Sequence, residues 1–460
     1  MMPIPQHANQ GFHNPQQILS LPVMNFEYFI ARKVAASGQQ SFSRLIIRIA
    51  IVAIALSVTV MICANALIAG FKTEISSKIF GFWGHIHITD TDINRSLLEA
   101  YPIDKNQDFY PQLENLKEVE YIARETWLGG LTEVERRKTT KGGVRQIQVF
   151  AIKPGIIEAG ERGDKDIEGI ILKGVGSDFD WAFMQQYIKR GRPLALPDSA
   201  MSREILISDQ TAKRLRVDTG DTFIVHFVEK GEQLRRRFTI SGVYRTGLEE
   251  YDQKFALVDI RQIQRLLGWN ENQVSGFEVF IDDIDDLVPL SEHIYFEELP
   301  TELYAETIRD KLPEIFDWLD LQDINEVVIL TLMVIVAIIN MVTALMILIL
   351  ERANMIGVLK ALGGTNWSIR KIFLYYAAYI IVLGLLWGNV FGIGLCVLQD
   401  QLEFIQLSEE NYYLSTAPIE LNALPILLIN LGTLLITLLF LIVPSYLVTS
   451  ISPVKAIRFK

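Results

Sequence analysis

The stretch ERANMIGVLKALGGTNWSIRK, Glu351–Lys371, is a short charged island between two apolar runs, Val327–Leu350 and Ile372–Leu398, neither of which contains a charged residue. At about 1.5 Å per residue, each run is long enough as a helix to cross roughly 30 Å of hydrocarbon. The island carries Arg352, Lys360, Arg370 and Lys371 against Glu351 alone, so the positive-inside bias assigns it to the cytoplasm. Met355, Ile356, Leu359 and Leu362 recur three or four residues apart and predict one apolar face on a short helix. Gly363-Gly364 stops that helix, because glycine accepts the left-handed conformation that other residues resist. Thr365 or Asn366 is placed to cap the next helix. The expected product is a helix-turn-helix at the inner membrane surface, a shape suited to the groove of a cytoplasmic partner.

Outward from the island, charge decides the topology. The chain has 460 residues, half of them hydrophobic, and a formal charge of −11. Its mean hydropathy of +0.24 is higher than an ordinary soluble domain of this size would show. Residues 1–71 sum to +3 and residues 327–460 to +1, which leaves −15 in the middle of the chain. Such an acidic domain excludes nucleic acid as a partner, since phosphate binding needs clustered Lys and Arg. The first apolar run, about Ile49–Gly70, exceeds the roughly 7–15 residues of a signal-peptide core and reads as a retained span. Arg32, Lys33, Arg44 and Arg48 precede it and keep the N-terminus inside. The loop after the third run carries Asp400, Glu403, Glu409, Glu410 and Glu420 without one Lys or Arg, whereas the tail carries Lys455, Arg458 and Lys460.

The expected fold class is an α-helical membrane protein with four transmembrane helices and a large α+β periplasmic domain inserted between the first and second. The N-terminal extension 1–23 is rich in Pro, Gln, Asn and His and is expected to be disordered. A cytoplasmic segment 24–44 leads to spans at 45–70, 327–350, 372–398 and 424–448. Residues 71–326 form a stalk and the periplasmic domain, 351–371 the inner loop, 399–423 an outer loop and 449–460 an inner tail. In the middle domain, β-patterned pieces occur at His85–Thr89, Gln146–Ile152, Glu204–Ser208, Phe223–Val228, Arg237–Tyr244, Phe255–Val258 and Phe277–Ile281. Helical pieces are expected at Phe179–Lys189, Asp209–Leu215 and Ile260–Leu267, with a helix over Leu303–Trp318 leading back to the membrane.

No phosphate loop, H-E-x-x-H, G-x-S-x-G or C-x-x-C motif occurs, so the sequence carries no recognisable catalytic apparatus, cofactor site or metal site. His85 and His87 would share a strand face, but no third ligand has a recognisable spacing and they read as two exposed strand histidines. Asp282, Asp283, Asp285 and Asp286 lack the Gly and Glu of a calcium loop and read as a solvated acidic turn. Arg235, Arg236 and Arg237 form either a docking patch for an acidic partner or the solvated side of a hairpin turning at Lys230-Gly231-Glu232. Asn65, Asn340, Asn389 and Asn430 inside the apolar runs suit helix–helix hydrogen bonds better than a substrate path. Gly384, Gly388, Gly392 and Gly394 give the third run a small face for close packing, within the chain or between protomers. Cys63 and Cys396 read as small apolar residues inside spans.

Several segments, in order, resemble the FtsX-like ABC permeases and, within them, the lipoprotein-releasing type. They are FEYFIARKVAA and GFKTEISSKIFGFWGHIHI near the front, ISGVYRTGLEEYDQKFALVDI in the middle, the inner island, YYLSTAPIEL and the terminal SPVKAIRF. The resemblance implies a permease subunit without enzymatic activity, dimeric as a homo- or heterodimer, in a cell inner membrane with both termini cytoplasmic. A separate ATPase would dock through Glu351, Met355, Ile356, Leu359, Lys360, Leu362, Gly363 and Gly364. Its cycle would move the stalks and lift a lipoprotein towards a periplasmic carrier chaperone, with Arg235–Arg237 as the periplasmic contact. The Phe223–Phe238 hairpin is shorter than the carrier-binding loop of that type. The rivals are an exporter of peptides or macrolides and a signalling protein that regulates a cell-wall hydrolase, as in the division branch of the family.

Overall fold

A computed structural model describes residues 27–31, 41–91, 101–127, 132–159, 166–197, 199–229, 231–408 and 412–451. The expectations for residues 1–23, Arg32, Lys33, Lys230, Glu409, Glu410, Lys455, Arg458 and Lys460 lie outside this set. The chain divides into two compact units. One comprises Met1–Ala66, Asn325–Leu398 and Leu421–Lys460; the other comprises Leu67–Ile324 and Gln399–Glu420.

The second unit is built on a mixed sheet. Its strands are β1 (Ile86–Asp90), β2 (Ile103–Asp104), β3 (Glu120–Trp127), β4 (Thr132–Thr139), β5 (Val144–Ala159), β6 (Asp166–Val175) and β7 (Ile188–Gly191). They continue as β8 (Glu204–Ser208), β9 (Thr222–Glu229), β10 (Glu232–Tyr244), β11 (Phe255–Asp259), β12 (Gln273–Val274), β13 (Gly276–Ile281) and β14 (Leu303–Thr307). Ten of these form one sheet in the order β14-β1-β13-β5-β6-β11-β8-β10-β7, with β9 on β10 and β5. The pairs β6–β11 and β8–β10 run parallel. Strands β2 and β12 form a separate small ladder, as do β3 and β4.

Side chains alternate across a strand, so each central strand serves two cores. Val149 and Ala151 of β5, Ile205 and Ile207 of β8, and Ala256 and Val258 of β11 enter one hydrophobic cluster. Their neighbours Phe150, Ile152, Leu206, Phe255 and Leu257 enter a second, which also holds Ile75, Ile79, Phe80, Phe82, Trp83, Phe316 and Leu319. Those last residues lie on the first long helix, Ser41–Trp83, and the second, Pro313–Glu351, each a single uninterrupted element. Gly84, at φ 74°, stops the first helix, with its N–H on the Phe80 carbonyl at 2.7 Å.

Two elements differ from the sequence expectation. Leu303–Thr307 is a strand, antiparallel to β1 with Thr307 opposite Ile86, so the helix expected over Leu303–Trp318 forms only from Ile308 onward. Alternation decided it, because Leu303, Ala305 and Thr307 are buried while Tyr304 is exposed; helix resumes at Ile308–Lys311 and again from Pro313. The helix expected over Phe179–Lys189 spans only Trp181–Tyr187, capped by Asp180, because Ile188–Gly191 pairs with β10 instead.

Four helices are long and apolar enough to cross a membrane among the described residues. The third is Asn366–Leu402 and the fourth Ala423–Ser445, followed by a short turn over Leu447–Ser450. Within the first unit the glycine face of the third helix meets the first helix of the same chain. A Cβ on Gly384 or Gly388 would lie 2.7 Å from Cβ of Ile54 or Val58, and the Thr59 hydroxyl donates to the Gly388 carbonyl at 3.2 Å. Asn389 and Asn430 donate to each other's amide oxygens at 2.6 and 2.9 Å, tying the third helix to the fourth. Asn65 donates to Glu326 at 2.7 Å and ties the first to the second. These polar groups hold helices together where lipid supplies no hydrophobic drive.

Gly388→Val should therefore destabilise the detergent-solubilised protein by about 1–3 kcal/mol through overpacking, whereas Gly394→Val, with nothing within 4 Å of its Cβ, should be tolerated. Thermal unfolding of the two variants side by side checks this, and equal loss in both would reject the packing.

Candidate functional site

The island folds as a helix over Ala353–Ala361, a turn, and the start of the third long helix at Asn366. Gly363 takes φ 93°, and the N–H groups of Gly363 and Gly364 close the turn on the carbonyls of Lys360 and Leu359 at 3.0 and 2.9 Å. Thr365 is the residue whose hydroxyl caps the next helix, accepting the Ser368 N–H at 3.2 Å. The turn is held from below by two cations. Lys360 Nζ donates to the carbonyls of Val448 and Ile451 at 2.7 and 2.8 Å, closing the end of the last described helical turn. Arg370 donates to the Ser445 hydroxyl at 3.0 Å and lies 3.7 Å from the centre of the Tyr446 ring. Glu27 accepts from Ser368 at 3.1 Å, and backbone and hydroxyl hydrogen bonds lower its pKa.

The apolar residues of the island do not share one face. Ile356 is fully buried inside the unit and is unavailable to a partner, Met355 and Leu359 are half-buried, and Leu362 is 80% exposed. The open stripe is instead Asn354, Val358 and Leu362, at i, i+4 and i+8, continued by Trp367 beyond the turn. Glu351 is half-buried at the end of the second long helix, and Gly363 and Gly364 are exposed. The Val358–Leu362 spacing was visible in the sequence; which side the helix turns inward was not.

In the second unit, Arg235, Arg236 and Arg237 lie on β10, opposite His226, Val225 and Ile224 of β9, with Arg235 and Arg237 exposed. Glu229 opposite Glu232 closes the hairpin over two residues, and Gly231 takes φ 83°. The TG-x-x-x-YD segment, Thr246–Asp252, in the turn after β10 and the short helix Glu249–Lys254, is a structural knot: Asp252 accepts from the N–H groups of Thr246 and Gly247 at 3.0 and 3.1 Å and from the Thr246 hydroxyl at 2.7 Å. Burial pushes its carboxyl up to about 6 against those bonds. The YYLSTAPIEL segment packs on the first long helix, where the Pro418 carbonyl would lie 2.6 Å from a Cβ on Gly70.

The histidines are not exposed as expected, whereas the acidic turn is exposed at Asp282 and Asp285 and buried only at Asp286. His85 stacks on Phe80 at 4.4 Å, and burial, reinforced by Arg145, lowers its pKa to about 3. His87 is fully buried, and burial with the nearby Lys311 holds it well below the usual range. As a neutral imidazole it donates from Nε2 to the Trp83 carbonyl at 2.5 Å and accepts at Nδ1 from Lys311 at 3.0 Å. Both are covered because the long-helix ends pack on that side of the sheet. Asp286 is likewise buried, accepting the N–H groups of Lys141 and Gly142 at 2.6 and 2.8 Å, so part of the acidic turn is a loop anchor.

Among the described residues, four helices long and apolar enough to cross a membrane, with an α+β domain between the first and second, make the architecture of a multi-pass membrane protein. Residues 49–294 match the MacB-like periplasmic core domain and residues 327–453 the FtsX-like permease C-terminal domain, so the chain belongs to the FtsX-like ABC permease family. The lipoprotein-releasing system transmembrane protein LolC of Xylella fastidiosa is 20% identical over 93% of this chain and 97% of its own length. LolE of Haemophilus influenzae is 22% identical over 94% of this chain and 99% of its own. LolC of Haemophilus influenzae is 25% identical over 56% of this chain, an alignment that takes in 64% of that relative. Permeases of this family are ABC subunits that generally carry no catalysis of their own.

The buried histidines make stability depend on acid. An unfolded histidine titrates near 6.5 while His85 stays neutral to about 3, so its contribution is complete above pH 6.5 and falls as pH drops through that window. His85→Phe, which keeps the ring stack, should flatten the acid loss between pH 6.5 and 4 by up to about 1.4 kcal/mol per pH unit. Denaturant titrations of both proteins across that range measure it, and equal slopes would reject the assignment.

Proposed function

We propose that this chain is the permease subunit of an ABC-type complex in a cell inner membrane, in which ATP hydrolysis by a separate subunit releases lipoproteins towards the outer membrane by mechanotransmission. The observation that carries this reading is end-to-end similarity to both LolC and LolE, over 93 and 94% of the chain. The charge distribution supports four spans with both termini cytoplasmic: the inner island is basic and the Gln399–Asn422 loop holds only acidic charges. A second permease protomer, identical or related, completes the complex.

The ATPase docks on the island. Asn354, Val358 and Leu362 form the contact stripe, Glu351, Met355 and Leu359 flank it, and Ile356, Lys360, Gly363 and Gly364 hold its shape. A rigid turn suits this task, since a push on a helix braced by Lys360 and Arg370 reaches the third and fourth helices together. On the periplasmic side, Arg235 and Arg237 face solvent from one side of the hairpin and suit an acidic carrier surface.

Leu362→Asp tests the coupling surface. A carboxylate buried without a partner costs on the order of several kcal/mol, more than an interface of ordinary affinity absorbs. The variant should insert and accumulate normally, lose the copurifying ATPase, and leave outer-membrane lipoproteins in the inner membrane. Quantitative pull-down from solubilised membranes, with fractionation of lipoproteins, measures both. Wild-type ATPase recovery would remove the coupling role, and normal sorting with failed cell separation would transfer the chain to the signalling branch.

A further inference from the structure

One row of residues crosses four adjacent strands on the helix-covered side of the sheet. Glu306 of β14 lies opposite His87 of β1, His87 opposite Glu278 of β13, and Glu278 opposite Gln148 of β5. Two lysines reach into the row. Lys173 of β6 pairs with Glu278 at 2.7 Å, both side chains fully buried, and Gln148 donates to the other Glu278 oxygen at 2.9 Å. Lys311, on the helical turn just before the second long helix, donates to His87 at 3.0 Å and lies 3.9 Å from Glu306.

The row grips both long helices. Lys173 donates to the Phe82 carbonyl at 2.5 Å and His87 to the Trp83 carbonyl at 2.5 Å, satisfying two end carbonyls of the first helix. The Lys173 ammonium also lies 4.9 Å from the centre of the Trp83 ring. The start of the second helix is fixed through Lys311 and through the Ile308 N–H on the His85 carbonyl at 2.9 Å. Well-packed apolar residues often stabilise as much as a buried ion pair, so stability alone does not account for two lysines, a glutamate and a histidine here. What charge adds is direction, since each donor admits one placement of a helix end.

We propose that Lys173, Glu278, His87 and Lys311 form a mechanical joint that makes the ends of both long helices and the sheet move as one body, and that its loss uncouples ATP hydrolysis from substrate movement. These are positioning residues, and the inference rests on the mechanotransmission reading above. The test uses the full chain reconstituted with its ATPase, Cys63 and Cys396 replaced by alanine, and spin labels on Ile167→Cys and Leu321→Cys, two exposed positions on β6 and the second helix. The unsubstituted joint should give one narrow label distance with and without ATP. Lys173→Met/Glu278→Leu replaces the pair by apolar groups and should keep its fold and its ATP hydrolysis, while the label distance broadens and lipoprotein release per ATP falls by about tenfold or more. An unchanged narrow distance in a folded double variant overturns the joint. If that variant does not fold, Lys311→Met should broaden the distance alone, and a narrow distance there overturns it equally. A complex with the joint intact that holds the narrow distance but releases no lipoprotein refutes the cargo reading and leaves the joint standing.

Discussion

The central strands of the α+β domain are apolar on both sides, and this is the constraint on which the rest of that unit depends. Every residue of β11 and β13 is buried, including Glu278. A sheet of this kind must be covered twice. One side is closed by the domain's own short helices, among them Asp209–Leu215 and Ile260–Leu267, whose Ala212, Leu215, Ile263 and Leu266 join the first cluster. The other is closed by residues of the two long helices, Ile75 to Trp83 and Phe316 with Leu319. The ends of the two long helices are thus part of the domain's core.

Covering the second side with helix ends creates an electrostatic problem that the fold solves with side chains from the strands. The last carbonyls of a helix need donors, and water is excluded from the Phe82–Trp83 end. Lys173 and His87 supply them, Glu278 balances the lysine, and Gln148 satisfies the remaining carboxylate oxygen. Burial pushes the lysine pKa down and the glutamate pKa up, while their ion pair opposes both shifts. The same logic recurs at Leu447–Ser450, where Lys360 closes the last described helical turn.

The helical unit works by a different rule, because lipid offers no reward for burying apolar side chains. Close approach over Gly384, Gly388 and Gly392 and the reciprocal Asn389–Asn430 pair replace hydrophobic burial. Large apolar side chains such as Leu332, Ile339, Leu431 and Val443 are left facing outward, as a lipid-facing surface requires.

Much was legible in the residues alone. Four apolar runs, the basic island, the acidic loop after the third run and seven of the fourteen described strands follow from local composition and period, because membrane thickness and side-chain alternation act over a few residues at a time. The glycine face and the intramembrane asparagines were legible as packing devices for the same reason. Tertiary structure decided what depends on a distant neighbour. His87 read as an exposed strand histidine, yet it is buried together with Gln148, Lys173 and Glu278 because the ends of the long helices lie over them. Leu303–Thr307 became a strand because β1 was there to pair with it. Ile356 turned inward and left Val358 and Leu362 open, since a helical period fixes which residues share a face but not which face meets the protein.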